Sequence, residues 1–188
     1  DVGAGQLLRQ SLVFGMDNAV TAIDVELPFR GVMIGDFVRT ARTMGLQRAS
    51  KTLVREMLGV DYRFRRELRK QSGVASPPSV VCQRMSATEM TLGDDTFDGA
   101  FSFSVCQHID RPELAAREMF RVLKPGGLAY IELHLYTSLT GSDHPLLQVA
   151  PRQIPSWGHL RRSTPFYGKH GLYLNCWRLR QWREMLER

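Results

Sequence analysis

Cysteine is scarce, and what there is has the wrong spacing for a scaffold. The three residues Cys82, Cys106 and Cys176 are odd in number, far apart and outside any CxxC pair, so neither a disulfide framework nor a zinc site is indicated and no metal is expected. A reduced, cytoplasmic setting is expected. Long apolar runs are missing too: nothing approaches the ~18 residues of a membrane span, and no charged-then-apolar segment opens the sequence. The chain therefore reads as soluble.

Acids are short in one place. Between Phe37 and Lys70 ten Lys or Arg face only Glu56, Asp61 and Glu67, a net +7, whereas the whole chain carries +6. The basic charge is local, which suits a surface feature and gives no reason to expect a nucleic-acid-binding protein. A last absence lies near the start, where Asp1-Val2-Gly3-Ala4-Gly5 is followed by Leu8 in the place of a third glycine. That glycine is what lets a dinucleotide's pyrophosphate sit on a helix terminus, so a pyrophosphate ligand is disfavoured.

What is present reads as one globular domain, since 188 residues with 43% hydrophobic content can build a continuous core. After the glycine turn, Leu7, Leu8, Leu12, Val13 and Met16 predict a helix over 6–16. Ala19 to Asp24 is β-rich and ends on an acid, so the order is glycine turn, helix, strand, carboxylate. A carboxylate so placed can accept hydrogen bonds from ribose hydroxyls, and Asp24 lies near the expected interval from the turn.

About fifty residues then separate this strand from the next, where a crossover needs only a dozen or more. The stretch 27–79 is read as a helical insert, with an apolar stripe through Leu53, Val54, Met57 and Leu58 that continues in Tyr62, Phe64 and Leu68, and a basic face at Arg63, Arg65, Arg66, Arg69 and Lys70. It is either a solvated face of the domain or a peripheral contact with anionic membrane or an anionic partner. Gly73 to Ser79 should turn the chain back. Val80–Gln83 predicts a third strand, Phe97–Ser104 a fourth, and Pro112–Val122 a helix with proline in its first turn. Lys124-Pro-Gly-Gly127 should stop that helix and Leu128–His134 form a fifth strand, giving an α/β, Rossmann-like, doubly wound and mostly parallel sheet with helices on both faces.

Taken together, Asp1-Val-Gly-Ala-Gly5, Asp24 after a β-run, Phe97-Asp-Gly-Ala100, Cys106-Gln-His-Ile109 and Arg121-Val-Leu-Lys-Pro-Gly-Gly127 resemble the class I S-adenosylmethionine-dependent methyltransferases of the type 11 kind. The resemblance covers residues 1–26 and 80–135. It implies a single methyltransferase domain over 1–188, S-adenosyl-L-methionine as cofactor, Asp1, Gly3 and Gly5 along the methionine part, and Asp24 on the ribose. Ser86 and Ala87 would flank the adenine, with Ser86 where an Asp is common, and Ser104 would face the reactive end. Cys106 is read as core. The family pattern also implies a strand ahead of Asp1 and a final antiparallel pair after Arg188, so the sequence is expected to be truncated at both ends and to bind cofactor poorly on its own.

Methyl transfer from a sulfonium needs alignment first and a base only for an acceptor that must lose a proton. The candidate catalytic bases are His108, which matches a family histidine that is often structural, and His134 at the carboxyl end of the fifth strand, where open sheets bind ligands. Residues 136–177, rich in Gly, Pro, Ser and His and holding Trp157-Gly-His-Leu160, form a candidate substrate lid. Leu179, Trp182, Met185 and Leu186 give a closing helix. A small-molecule or saccharide (glycan) acceptor, methylated at oxygen, is the expectation; oligomeric state is not readable. A catalytically silent domain that binds an anionic partner through the insert is the alternative, and a nicotinamide-dependent oxidoreductase is a distant third.

Overall fold

The computed structural model describes residues 1–26, 34–73 and 78–187 of the chain. It divides into two compact units, Asp1–Ser86 and Ala87–Arg188.

The first unit is built on two parallel strands, β1 (Val20–Asp24) and β2 (Val80–Arg84), in register from Val20↔Val80 to Asp24↔Arg84. Val2 adds a single parallel bridge to Ile23 on the other side of β1. The predicted first helix is shorter than its apolar periodicity: α1 runs only Arg9–Phe14, because Leu8 takes a left-handed φ of 51° and the chain from Gly5 to Leu8 is a turn. Leu8 and Leu12 are nonetheless buried, and with Ala4 and Ala22 they make the core of this unit.

The expected insert is helical wherever it is described, as α2 (Ile34–Met44), α3 (Leu46–Met57) and α4 (Val60–Ser72); its first seven residues, 27–33, and residues 74–77 of its closing turn lie outside the described residues. It is not merely appended to the domain. Phe64 and Leu68 of α4 pack on the core cluster, and Thr52 of α3, 3% exposed, donates a 2.9 Å hydrogen bond to Oε1 of Gln6 next to the glycine turn. The opposite side of α4 carries Arg63, Arg65, Arg66, Arg69 and Lys70 into solvent, where their long stems are free to snorkel along apolar neighbours.

In the second unit β3 (Phe97–Phe103) pairs in parallel with β4 (Leu123–Glu132) across helix α5 (Pro112–Val122). Proline opens α5 as predicted, and Ala115, Met119 and Val122 are its buried face. The strand after it starts earlier than the sequence indicates. β4 already pairs Leu123 with Phe97, then loops out Lys124 to Gly127 before resuming at Leu128 opposite Gly99. Proline cannot donate to a ladder and is tolerated at such a bulge; Gly126 has φ 81°, and a Cβ on Gly127 would meet the Lys124 carbonyl at 2.9 Å and that of Asp98 at 3.1 Å. The helix-stopping glycines are thus also the strand's bulge. β4 ends at Glu132, two residues short of the expected His134.

Arg121, at the end of α5, explains why the motif begins with arginine. Its guanidinium donates to both Glu118 carboxylate oxygens, to the carbonyls of Met90 and Leu92, and to Asp94 at 2.5 Å. The same guanidinium holds the Glu118 carboxyl below the usual carboxylate range. All five N–H donors are used, a fork geometry that lysine could not reproduce. The loop 90–94 is thereby clamped to the helix that precedes β4.

The chain closes with short turns and two further helices, α6 (Leu146–Val149) and α7 (Leu179–Leu186). Trp182 is 2% exposed and packs at a tilt of 54° against Trp177 with ring centres 5.0 Å apart. Leu179 and Leu186 remain about half exposed, so the apolar face expected of α7 is buried at Trp182 and not along its length. Parallel strands joined through helices make each unit α/β and Rossmann-like in its connections.

Candidate active site

In the first unit the glycine turn and the acid that ends β1 come together. The turn is fastened to β1 from both sides: the Ile23 N–H donates to the Asp1 carbonyl, and the Gly3 and Ala4 N–H groups both donate to the Ile23 carbonyl. Gly3 and Gly5 take φ of 77° and 63°, values that only glycine adopts without cost. A side chain at Gly5 would meet no atom within 4 Å, so the outer side of the turn is open.

Asp24 holds this turn in shape. Its Oδ2 accepts 2.8 Å from the Gly5 N–H and its Oδ1 accepts 2.8 Å from the Glu26 N–H. Each carboxylate oxygen keeps a further lone pair for a hydroxyl donor. Asp1, at the other end of the turn, accepts a short hydrogen bond from the Ser11 hydroxyl, which is fully buried. Asp1, Gly3, Gly5 and Asp24 are therefore one connected arrangement, as their spacing suggests. Ser86 and Ala87 sit half-buried in the turn that follows β2.

The second unit brings both candidate bases onto one carboxylate. His134, just past the end of β4, lies with Nδ1 2.9 Å from Oδ1 of Asp143 and Nε2 2.8 Å from the Thr140 hydroxyl. His108, in the helical turn Cys106–His108 after β3, has Nε2 3.5 Å from Oδ2 of the same Asp143. Its Nδ1 is 2.8 Å from the Tyr173 carbonyl. A carbonyl can only accept, so Nδ1 of His108 carries its proton, and Nε2 faces Asp143 as a donor only in the imidazolium form. His108 is thus spent on holding the 173–175 segment, which Asn175 also fastens by donating from its side chain to the Cys106 and Ile109 carbonyls at 3.0 Å. The Tyr173 hydroxyl completes the latch on Asp110 at 2.8 Å.

Ser104, the residue expected at the reactive end, takes a left-handed φ of 54° where β3 stops. Its N–H and hydroxyl both bond Glu132, at 3.0 Å to the carbonyl and 2.9 Å to the carboxylate. A non-glycine residue in this region costs of order 1–3 kcal/mol, and such strain gathers at functional loops. Cys106 is 3% exposed beside Ser102, and burial pushes its thiol up from the ordinary range. It is core, as the sequence suggests.

Sequence reasoning missed Thr140 and Asp143 because nothing in a Gly/Ser/Thr-rich loop marks one acid among others. The weak signal was the nearby glycines. A Cβ on Gly141 would collide with the carbonyls of Leu135 and Tyr136, and one on Gly171 with that of Asp143, so both positions exist to let the chain fold tightly against itself. In the candidate lid His159 turns inward, 2% exposed and edge-on to Tyr136 with Nε2 2.7 Å from the Tyr136 carbonyl, whereas Trp157 and Tyr167 are exposed. Among the described residues no group of three or more His, Cys, Asp or Glu could hold a metal, and no helix is long and apolar enough to cross a membrane.

Comparison with known proteins finds methyltransferases. Residues 41–131 match the family described as Methyltransferase domain. The chain is 38% identical over 76 residues to 24-methylenesterol C-methyltransferase 2 of Oryza sativa subsp. japonica, covering 40% of this chain and 20% of that protein. It is 27% identical over 106 residues to an uncharacterized methyltransferase of Mycobacterium leprae, covering 56% and 37%. The chain thus spans well under half the length of these relatives. Among solved structures, a SAM-dependent methyltransferase from Thermotoga maritima aligns over 96% of this chain and 72% of that one, with a TM-score of 0.40 and 16% identity. Residues 41–131 are thus similar to methyltransferase domains, and the glycine turn, the strand-end acid and the Arg121–Gly127 element resemble those of class I methyltransferases.

Proposed function

We propose that the protein is an S-adenosyl-L-methionine-dependent methyltransferase acting on a hydroxyl of a small-molecule or saccharide acceptor. The observation that carries the reading is Asp24, whose carboxylate props up an open glycine turn and still has acceptor capacity for ribose hydroxyls. The residues fit the cofactor: a carboxylate for the ribose diol, and a glycine turn open on its outer side with Leu8 in the place of the third glycine that a pyrophosphate turn uses. When bound, the cofactor supplies an electrophilic methyl group. Asp1, Gly3 and Gly5 would line its methionine part, Ser86 and Ala87 its adenine, and Ser104 its reactive end.

We read His134 as the base: its Nε2 lies 2.8 Å from the Thr140 hydroxyl, and a hydroxyl acceptor, which must give up its proton, has use for such a base. We read residues 1–188 as working together as one methyltransferase domain in a cytoplasmic protein, with 136–177 shaping the acceptor side. A contact with an anionic membrane surface is supported by the corner of α3 and α4, where Met57, Leu58 and Tyr62 are more than half exposed beside Arg63, Arg65 and Arg66. The test is a labelled methyl-transfer screen with the full-length protein, offering hydroxyl, amine and thiol acceptors of matched size. Label should appear on hydroxyl acceptors. Label on amines or thiols alone would remove the oxygen assignment, whereas vesicle binding with no transfer at all would point to the silent-domain alternative.

A further inference from the structure

We propose that Asp143, His134 and Thr140 form a proton relay, with Asp143 as positioning residue and the Thr140 hydroxyl as the outer member that meets the acceptor. This rests on the reading above that His134 is the base.

The geometry is that of a carboxylate, an imidazole and a hydroxyl in series. Oδ1 of Asp143 is 2.9 Å from Nδ1 of His134, and Nε2 of His134 is 2.8 Å from Oγ1 of Thr140. A carboxylate cannot donate, so it fixes the proton on Nδ1 and leaves the Nε2 lone pair to accept from Thr140. In such a series the acid orients the ring and stabilises its charged form without itself taking the proton. Asp143 is a quarter exposed and His134 about a third, whereas Thr140 is the exposed member. Thr140, exposed and bonded to Nε2, offers a path by which a proton reaches the ring.

In the step, the acceptor O–H proton passes to Oγ1 of Thr140 while the threonine proton passes to Nε2 of His134. The acceptor oxygen keeps its electron pair for the incoming methyl group, and the imidazolium rests on the Asp143 carboxylate. The second oxygen of that carboxylate lies 3.5 Å from Nε2 of His108, which donates to it only when that ring is protonated. Asp143 holds a left-handed φ of 45°, and the close approach of Gly171 to its carbonyl keeps the backbone there.

The experiment starts from the ring itself. In the full-length protein with 15N-labelled histidine, long-range 1H–15N spectra above the imidazole titration should show His134 protonated at Nδ1 and bare at Nε2. Asp143→Gly is the variant of choice, because glycine adopts the left-handed backbone freely; it should release His134 to the Nε2–H form and lower kcat at least about tenfold with KM for the acceptor unchanged. Thr140→Val should lower kcat similarly and Thr140→Ser should restore it. An unaltered His134 tautomer in Asp143→Gly, or full kcat in Thr140→Val, overturns the relay. If His134→Gln retains full kcat the base assignment itself is wrong, whereas a slow His134→Gln with a fast Thr140→Val condemns only the relay.

Discussion

Replacing His134 by glutamine should lower kcat for transfer to a hydroxyl acceptor by about 10²–10⁴-fold, the usual worth of a positioned base, with cofactor affinity unchanged. The ring is fixed at both nitrogens, by Asp143 at 2.9 Å and Thr140 at 2.8 Å, so the loss is one of proton acceptance and not of a loosely held side chain. Glutamine keeps the size and some of the hydrogen bonding but has no basic nitrogen. The same change at His108 should cost far less in kcat, because its Nδ1 donates to the Tyr173 carbonyl; its effect should fall on stability of the 173–175 latch. Steady-state kinetics of both variants separate the two histidines. Equal losses at both positions would contradict the division of roles.

The second large effect is expected at Asp24. Asp24→Ala should weaken S-adenosylmethionine binding by about 10- to 100-fold, since a hydrogen bond to a charged group is worth roughly 1.5–3 kcal/mol and each ~1.4 kcal/mol is tenfold in affinity. Two losses coincide. On the proposed reading the ribose loses its acceptor, and Gly5 loses the carboxylate that its N–H donates to at 2.8 Å, so the turn proposed to meet the methionine part is no longer held. Asp24→Asn keeps one acceptor oxygen and should fall between the two. Calorimetric titration of wild type and both variants gives the order directly, and an affinity that does not change in Asp24→Ala would take this residue out of the site.

The sequence and the structure part company in informative places. Strands β1, β2 and β3 and helix α5 were legible because hydrophobic alternation, a terminal acid and a first-turn proline are local signals. The start of α1 was not, because Leu8 looks like a helical core residue and is one in burial, yet its φ of 51° is imposed by the turn it must finish. The start of β4 was missed for a related reason. Lys124-Pro-Gly-Gly127 reads as a stop, and only the pairing of Leu123 with Phe97 shows that the strand begins before the bulge.

Within the site, the glycine turn and Asp24 could be paired from spacing alone, and His134 and His108 could be named from their places after strands. What brought those two histidines together was Asp143, which lies in a loop without periodicity. Its role depends on a chain reversal made possible by Gly141 and Gly171, and contacts of that kind leave no pattern in a single sequence.

On this account the open glycine turn and Asp24 receive a sulfonium cofactor and not a dinucleotide. Isothermal titration of the full-length protein with S-adenosylmethionine, S-adenosylhomocysteine and NAD tests it most directly. Both sulfur compounds should bind and NAD should not. Binding of NAD with no response to either sulfur compound would contradict the account.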